Sequence, residues 1–332
     1  MVNNFYDDDG DYILDTSKFS HDTPTYRWLD RNGTVIPASS YSQTIGGCST
    51  SLNAPLTLEI SSTVSVSSQY GLPNTSEPVS ILKRYQIYAP AQICYLRPNS
   101  LEWVGSDTGW ESGSSVPDLT SRGGGFNSKT FSKSNGFYLS SQFPTTGFVG
   151  AQFKLTMDRN VQTDYTYSII SGSGISIDSN GLVSFTSKPT SAVTLMATDK
   201  NVSTRTISYT FTIKNWVVPK ASRGTYAQQL KLCGNNSANI PAVTLLTNSP
   251  QNKLPASIVT NYYYRDVGTV FSEWGQTIKQ KYSKSDWQAE WSNVPYYLPK
   301  TTSKYRYAVS SLSGAVMFTD LNNTTGYIVC KG

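Results

Sequence analysis

Between Tyr26 and Ile213 the sequence falls again and again into short runs in which apolar and polar residues alternate. A period of two is the signature of a strand with one buried face, and no helical period competes with it here. Tyr26–Leu29 is such a run, followed by an Asp30-Arg-Asn-Gly33 turn in which Asn-Gly signals a hairpin. Leu56–Ile60, Val64–Ser67 and Val79–Tyr88 continue the pattern. Gly150–Met157, Tyr165–Ile170, Ile175–Phe185 (strand, Asn-Gly turn, strand), Val193–Thr198 and Thr206–Ile213 then form a second set. Strands this short and this regular predict β-sandwiches. The expected organisation is an arm over 1–24, a sandwich over 25–96 with Trp28 as its core tryptophan, and a second sandwich with long loops over 97–218.

At 332 residues the chain is long enough for about two to four domains. Charged residues make up only 15%, which suits extracellular β-domains with polar, uncharged loops and argues against a charged disordered chain. The net charge of +5 carries no Lys/Arg block, so no nucleic-acid partner is expected. No apolar run reaches the length of a membrane span, and Met1-Val-Asn-Asn-Phe-Tyr lacks the basic start and apolar core of a signal peptide. An exported chain of this kind would be a fragment or a processed form.

The four cysteines, at 48, 94, 233 and 330, are never in C-x-x-C spacing. Sequential pairing, Cys48–Cys94 and Cys233–Cys330, keeps each bond inside one expected domain and stabilises by about 4 to 5 kcal/mol each in the chain-entropy picture. The two other pairings stay open at this point. The single histidine, His21, leaves nothing for a His-based metal site or a nucleophile–histidine set. Asp7, Asp8, Asp9 and Asp11 lie around Gly10, yet position 18, where a calcium loop needs Glu, is Lys18. Gly123-Gly-Gly125 precedes no Lys-Ser/Thr and reads as a surface loop. Glu273 and Glu290 are the one carboxylate pair worth weighing as acid and base, and chance accounts for it. The chain is expected to be no enzyme and to need no cofactor.

After Pro219-Lys-Ala-Ser222, read as a short linker, the pattern changes. Ala227–Cys233 can form two helical turns, with Tyr226, Leu230 and Cys233 on one face. A second short helix is expected within Ile240–Asn248, then a hairpin from Tyr305 to Thr319, and a last strand at Gly326–Cys330. Between them tyrosine and tryptophan are dense. Tyr262, Tyr263, Tyr264, Trp287, Trp291, Tyr296 and Tyr297, with Lys300, are the candidate ligand-binding residues. Neighbours on an extended chain point to opposite sides, so Tyr262-Tyr-Tyr264 and Tyr296-Tyr297 cannot all enter one core. Exposed rings of this kind dominate protein-binding hot spots.

Two sets of residues resemble known families. Tyr167–Ser171, Ile177-Asp-Ser-Asn-Gly-Leu-Val-Ser184 and Val193–Thr198, with Asn135-Gly-Phe and Phe143-Pro-Thr-Thr-Gly147 before them, resemble the bacterial immunoglobulin-like domains of outer-membrane adhesins. Leu232-Cys233, Ile240-Pro-Ala-Val-Thr-Leu-Leu-Thr247, Phe271-Ser-Glu-Trp-Gly275 and Tyr327-Ile-Val-Cys330 resemble the C-type lectin-like cap of intimin/invasin-type (inverse autotransporter) adhesins. The resemblance implies a mostly β chain: tandem immunoglobulin-like β-sandwiches followed by an α+β C-type lectin-like domain over 219–332. It further implies display on the bacterial surface, as a monomer attached to the membrane only through a barrel absent from this chain. The implied partner is a host cell-surface or serum protein, a receptor or an immunoglobulin-like one. The alternative is a secreted module that stacks its rings on a glycan. The calcium-holding tripeptides of sugar-binding lectins, Glu-Pro-Asn or Gln-Pro-Asp with Trp-Asn-Asp, do not occur; Leu298-Pro-Lys300 stands nearest, and its lysine would repel the ion. Binding without calcium is therefore expected.

Overall fold

The computed structural model describes residues 5–6, 12–13, 19–46, 48, 52, 54–67, 74–101, 125–158, 162–249, 263–276, 278–288, 295–300, 305–311, 314–320 and 325–332, with only the backbone in 5–6, 12–13, 19, 101, 295–300, 305–307 and 317–320. The Asp7–Asp11 cluster, Lys18, Gly123, Gly124 and Glu290 lie outside the described residues. The chain divides into two compact units, Met1–Pro90 and Ala91–Gly332. No described helix is long and apolar enough to cross a membrane.

The N-terminal unit is built on one sheet. A two-stranded ladder, β1 (Phe5–Tyr6) with β2 (Tyr12–Ile13), precedes it. The sheet itself holds β3 (Phe19–His21), β4 (Thr25–Leu29), β5 (Leu56–Val66) and β6 (Val79–Ile87). The two alternating runs at 56–60 and 64–67 join into the single long β5. It takes β4 and β3 on one side and β6 on the other, all antiparallel. The expected hairpin turn forms: Asp30 Oδ1 accepts from the backbone N–H of Asn32 and Thr34, and Gly33 takes φ +81°, a left-handed value that glycine adopts without strain. Trp28 is half-buried and lines a cavity of about 140 Å³ with Ile36, Tyr41, Ile45, Leu52 and Leu56.

Strand β7 (Ile93–Pro98) overturns the expected boundary at residue 96. It pairs antiparallel with β11 (Gln152–Met157), in the heart of the second sandwich. Its Ile93 and Leu96 are buried in the core of the C-terminal unit, which is why its apolar residues cannot serve the first. Cys94 lies on this strand. Cys48 and Cys94 are both disulfide-bonded and no cysteine is free, as the sequential pairing requires.

One sheet of the C-terminal unit runs β13 (Ile175–Ile177), β14 (Leu182–Phe185), β11, β7, β9 (Gly136–Phe137), β8 (Phe131–Ser132). A second runs β12 (Tyr165–Ser171), β15 (Val193–Asp199), β16 (Thr206–Phe211). The alternation read from the sequence is what faces them together. Val193, Leu195, Ala197 and Asp199 of β15 are buried, and Thr194, Met196 and Thr198 between them are half-exposed. Phe153 of the first sheet meets Phe211 of the second edge to face at 5.7 Å.

The expected linker at 219–222 is not a linker. Residues 215–224 form one strand, β17 (Asn215–Gly224), which pairs parallel with β10 (Thr146–Gly147) of the sandwich and antiparallel with the last strand, β21 (Gly326–Lys331). β10 pairs with its first two residues, Asn215 and Trp216, and β21 with the rest from Val217 to Gly224, with an irregularity between Lys220 and Arg223. The terminal residues therefore grow out of the sandwich through a shared sheet. They add α1 (Tyr226–Leu232), α2 (Val243–Leu246), α3 (Val270–Trp274) and α4 (Ile278–Lys281), then the antiparallel sheet β18 (Pro295–Lys300), β19 (Tyr305–Ser310), β20 (Val316–Asp320). α1, α2 and the β19–β20 hairpin stand where the sequence placed them, and α3 and α4 are additional to it.

Candidate functional site

The C-terminal module starts from a well-defined helix. Thr225 caps α1, accepting from the Gln228 N–H, while the Gln228 side chain accepts from the Thr225 N–H. Cys233 ends the helix and bonds to Cys330 of β21, with Cα atoms 5.5 Å apart, inside the span usual for a disulfide. Cys233, Ile240, Ile328 and Cys330 form a small buried cluster with Tyr226 and Leu230 packed on it, the face expected from the helical period. Gln229 Nε2 donates to the Val329 carbonyl, tying the helix to the strand a second time.

Helix α3 locks this module to the sandwich. Its Glu273 is fully buried and faces no cation among its hydrogen-bond partners. Five donors converge on the carboxylate: the backbone N–H and hydroxyl of Thr145, the backbone N–H and hydroxyl of Thr146, and the backbone N–H of Gly268. Burial outweighs them and holds the carboxyl above the usual glutamate range. Next to it, Trp274 donates its Nε1–H to Thr146 Oγ1 at 3.0 Å. Its ring lies 5.1 Å from Phe143, 5.7 Å from Phe148, 5.9 Å from Phe185 and 5.8 Å from Tyr282. Sandwich and module thus share one core. Gly150 allows the closest approach: at φ +88°, a Cβ there would come 2.7 Å from the Ser285 backbone nitrogen.

This packing corrects the expected site. Tyr263 and Trp287 are fully buried, so neither ring reaches a ligand. Trp287 stacks edge to face on Phe148 at 5.7 Å, and Tyr263 packs on Phe271 at 6.3 Å. Tyr264 is half-buried, its backbone held at both ends by the Asn248 side chain. Tyr262 and Trp291 lie outside the described residues. Tyr296, Tyr297 and Lys300 all fall on β18, opposite Val309, Ala308 and Arg306 of β19. β18 is the first strand of its three-stranded sheet and runs close to β21. Among the described residues, the part of the predicted patch not placed in the core is the backbone of β18, with Tyr264 apart from it in sequence.

Glu273 was weighed above as half of an acid–base pair. A carboxylate that accepts five hydrogen bonds with no water-facing oxygen has no lone pair free for a substrate, and its role is to hold the module in place. Thr145 and Thr146 carry no sequence signal for that role. In the sequence two adjacent threonines are an ordinary polar pair; the structure buries them against a carboxylate that needs their hydroxyls.

Residues 126–211 match the family described as invasin, domain 4. The fold of the whole chain is similar to the crystal structure of invasin, a bacterial integrin-binding protein: 18% identity, TM-score 0.56, covering 99% of this chain and 54% of that one. The chain therefore spans about half the length of that relative. Intimin of EHEC O157:H7 aligns with 60% of this chain and 92% of its own at 18% identity and TM-score 0.38, and intimin bound to Tir90 aligns with 57% and 88% at the same identity and score. Residues 126–211 thus match an invasin domain 4, and the chain as a whole shares the fold of invasin.

Proposed function

We propose that this chain is the displayed part of a bacterial surface adhesin, and that its terminal module, residues 219–332, binds a host protein without calcium. The observation that carries the reading is the shared core of invasin-like sandwich and terminal module around Trp274 and Glu273. A module that shares its core with the sandwich keeps its surface in one orientation, which lowers the entropy lost when a partner docks. Invasin, the fold relative, is itself described as integrin-binding. Strand β18, with Tyr296, Tyr297 and Lys300, is the part of the predicted patch that this reading uses.

The test is capture of host surface and serum proteins on the immobilised full chain, compared with Tyr296→Ala, Tyr297→Ala and Lys300→Glu. The expected result is one retained protein whose affinity falls at least tenfold in one of these variants, as hot-spot residues lose about 2 kcal/mol or more on truncation. Calcium titrated onto the chain alone should leave its unfolding midpoint unchanged. Retention of glycans in place of proteins, or a calcium-dependent midpoint, overturns the reading.

A further inference from the structure

Strand β6 of the N-terminal unit is an open sheet edge. It pairs with β5 from Val79↔Val64 to Ile87↔Leu56 with no register shift, and no other described element pairs with it. Its first eight residues are all exposed. Natural edges are blunted by proline, bulges or charge, because a free row of N–H and C=O groups templates a further strand. Here there is no proline and no bulge in the nine residues, only Lys83 and Arg84 at the centre.

The register sorts the side chains into two faces. Arg84, Glu59 and Arg27 lie side by side on one face, and Glu59 accepts from both arginines, so Arg84 is already satisfied. Lys83 lies on the other face, in line with Ile60 and Tyr26. It makes no ion pair among the described residues. Two residues to either side of it, Ile81 and Tyr85 are 42% and 53% exposed, with Val79 at 62% beyond. The edge therefore presents apolar, basic, apolar at alternate positions, and the basic group is the uncompensated one.

We propose that β6 takes an added strand from a partner protein, an extended segment reading apolar–x–acidic–x–apolar, whose carboxylate sits opposite Lys83. Backbone pairing supplies the affinity and the alternating side chains the choice of partner. Charge argues against a second copy of this chain as the occupant. In the antiparallel register that overlaps all nine residues, Lys83 would face Lys83, and like charges directly opposite destabilise a pair.

The test uses the full chain and two labelled peptides as long as β6, alternating threonine and valine, one with a central glutamate and one with a central lysine. Anisotropy should show the glutamate peptide binding about tenfold more tightly, the size expected when a cross-strand pair changes from opposite to like charge. Amide exchange should slow over 79–87 and nowhere else. Lys83→Glu, on an exposed side chain, should invert the preference between the peptides while leaving circular dichroism unchanged. Equal affinity for both peptides, a preference untouched by Lys83→Glu, protection elsewhere, no binding at millimolar peptide, or self-association of the chain that Lys83→Glu abolishes would each overturn the proposal.

Discussion

Two glutamates show how differently the two units are held. Glu59, on the sheet of the N-terminal unit, is 3% exposed yet lies under two guanidiniums, those of Arg27 and Arg84, which are themselves 58% and 63% exposed. The Arg84 and Arg27 contacts keep its carboxyl below the usual range. Glu273, in the C-terminal unit, has no cation and five neutral donors, and burial raises its carboxyl instead. The first is a surface charge cluster that water can replace. The second is a plug that water cannot reach, and removing its partners leaves a charge inside the core. The lesson is that near-equal burial of a carboxylate does not tell what it does; the partners decide.

The sharpest way to break the comparison is to remove the core beside the plug. Trp274→Ala should cost about 4 kcal/mol, within the range for a large aromatic deleted from a packed core, and should loosen sandwich and module together. A calorimetric trace in which the residues 126–211 sandwich keeps its stability would show that the shared core is not cooperative. Next, Cys233→Ala with Cys330→Ala opens a loop of sequence separation 97. The expected loss is about 4 kcal/mol in thermal unfolding of the reduced-loop variant against wild type. Since β21 stays paired with β17, amide exchange of α1 should rise more than that of β17.

Glu273→Gln keeps the shape and turns one acceptor oxygen into a donor that meets other donors. A loss of about 2 kcal/mol is expected, read as a shift in denaturant midpoint. The pH dependence sharpens the contrast further. Glu273 binds a proton more tightly folded than unfolded, so its share of stability is present at acid pH and is lost as pH rises through its raised value. Glu59 behaves in the opposite sense: its share is present above the usual glutamate range and is lost as pH falls through its lowered value. Protection of the amides of β5 and α3 relative to the unfolded chain at the same pH, followed from about pH 3 to pH 7 to bracket ordinary carboxylates, should move in opposite directions. Glu59→Gln should have the smallest effect of all, because exposed ion pairs contribute little. Parallel pH responses in the two units would remove the distinction.

The sequence made much of the chain legible. Strict alternation placed β11 through β16, since a strand with one buried face cannot hide its period. The 3.6-residue face placed α1, and sequential pairing favoured Cys233 with Cys330. The errors were of one kind. Pro219-Lys-Ala-Ser222 has linker composition, yet it lies within a strand, because β21 from the far end of the chain pairs with Pro219 and Lys220. Ile93–Pro98 lies beside the first sandwich in sequence and pairs with the second. Tyr263 and Trp287 were chosen for their chemistry, and the core of the sandwich took them inside.

Local periodicity and turn chemistry by themselves determined β11 to β16 as strands and α1 as a helix, and cysteine order favoured Cys233 with Cys330 while leaving the other pairings open. These are properties of neighbours along the chain, and short-range sterics and hydrogen bonding set them. Only the tertiary structure decided that sandwich and terminal module share one core, that Thr145 and Thr146 satisfy Glu273, and that Tyr263 and Trp287 go inside. Those outcomes depend on contacts between residues more than a hundred positions apart, such as Thr146 with Trp274, and no window along a single sequence holds both ends of such a pair.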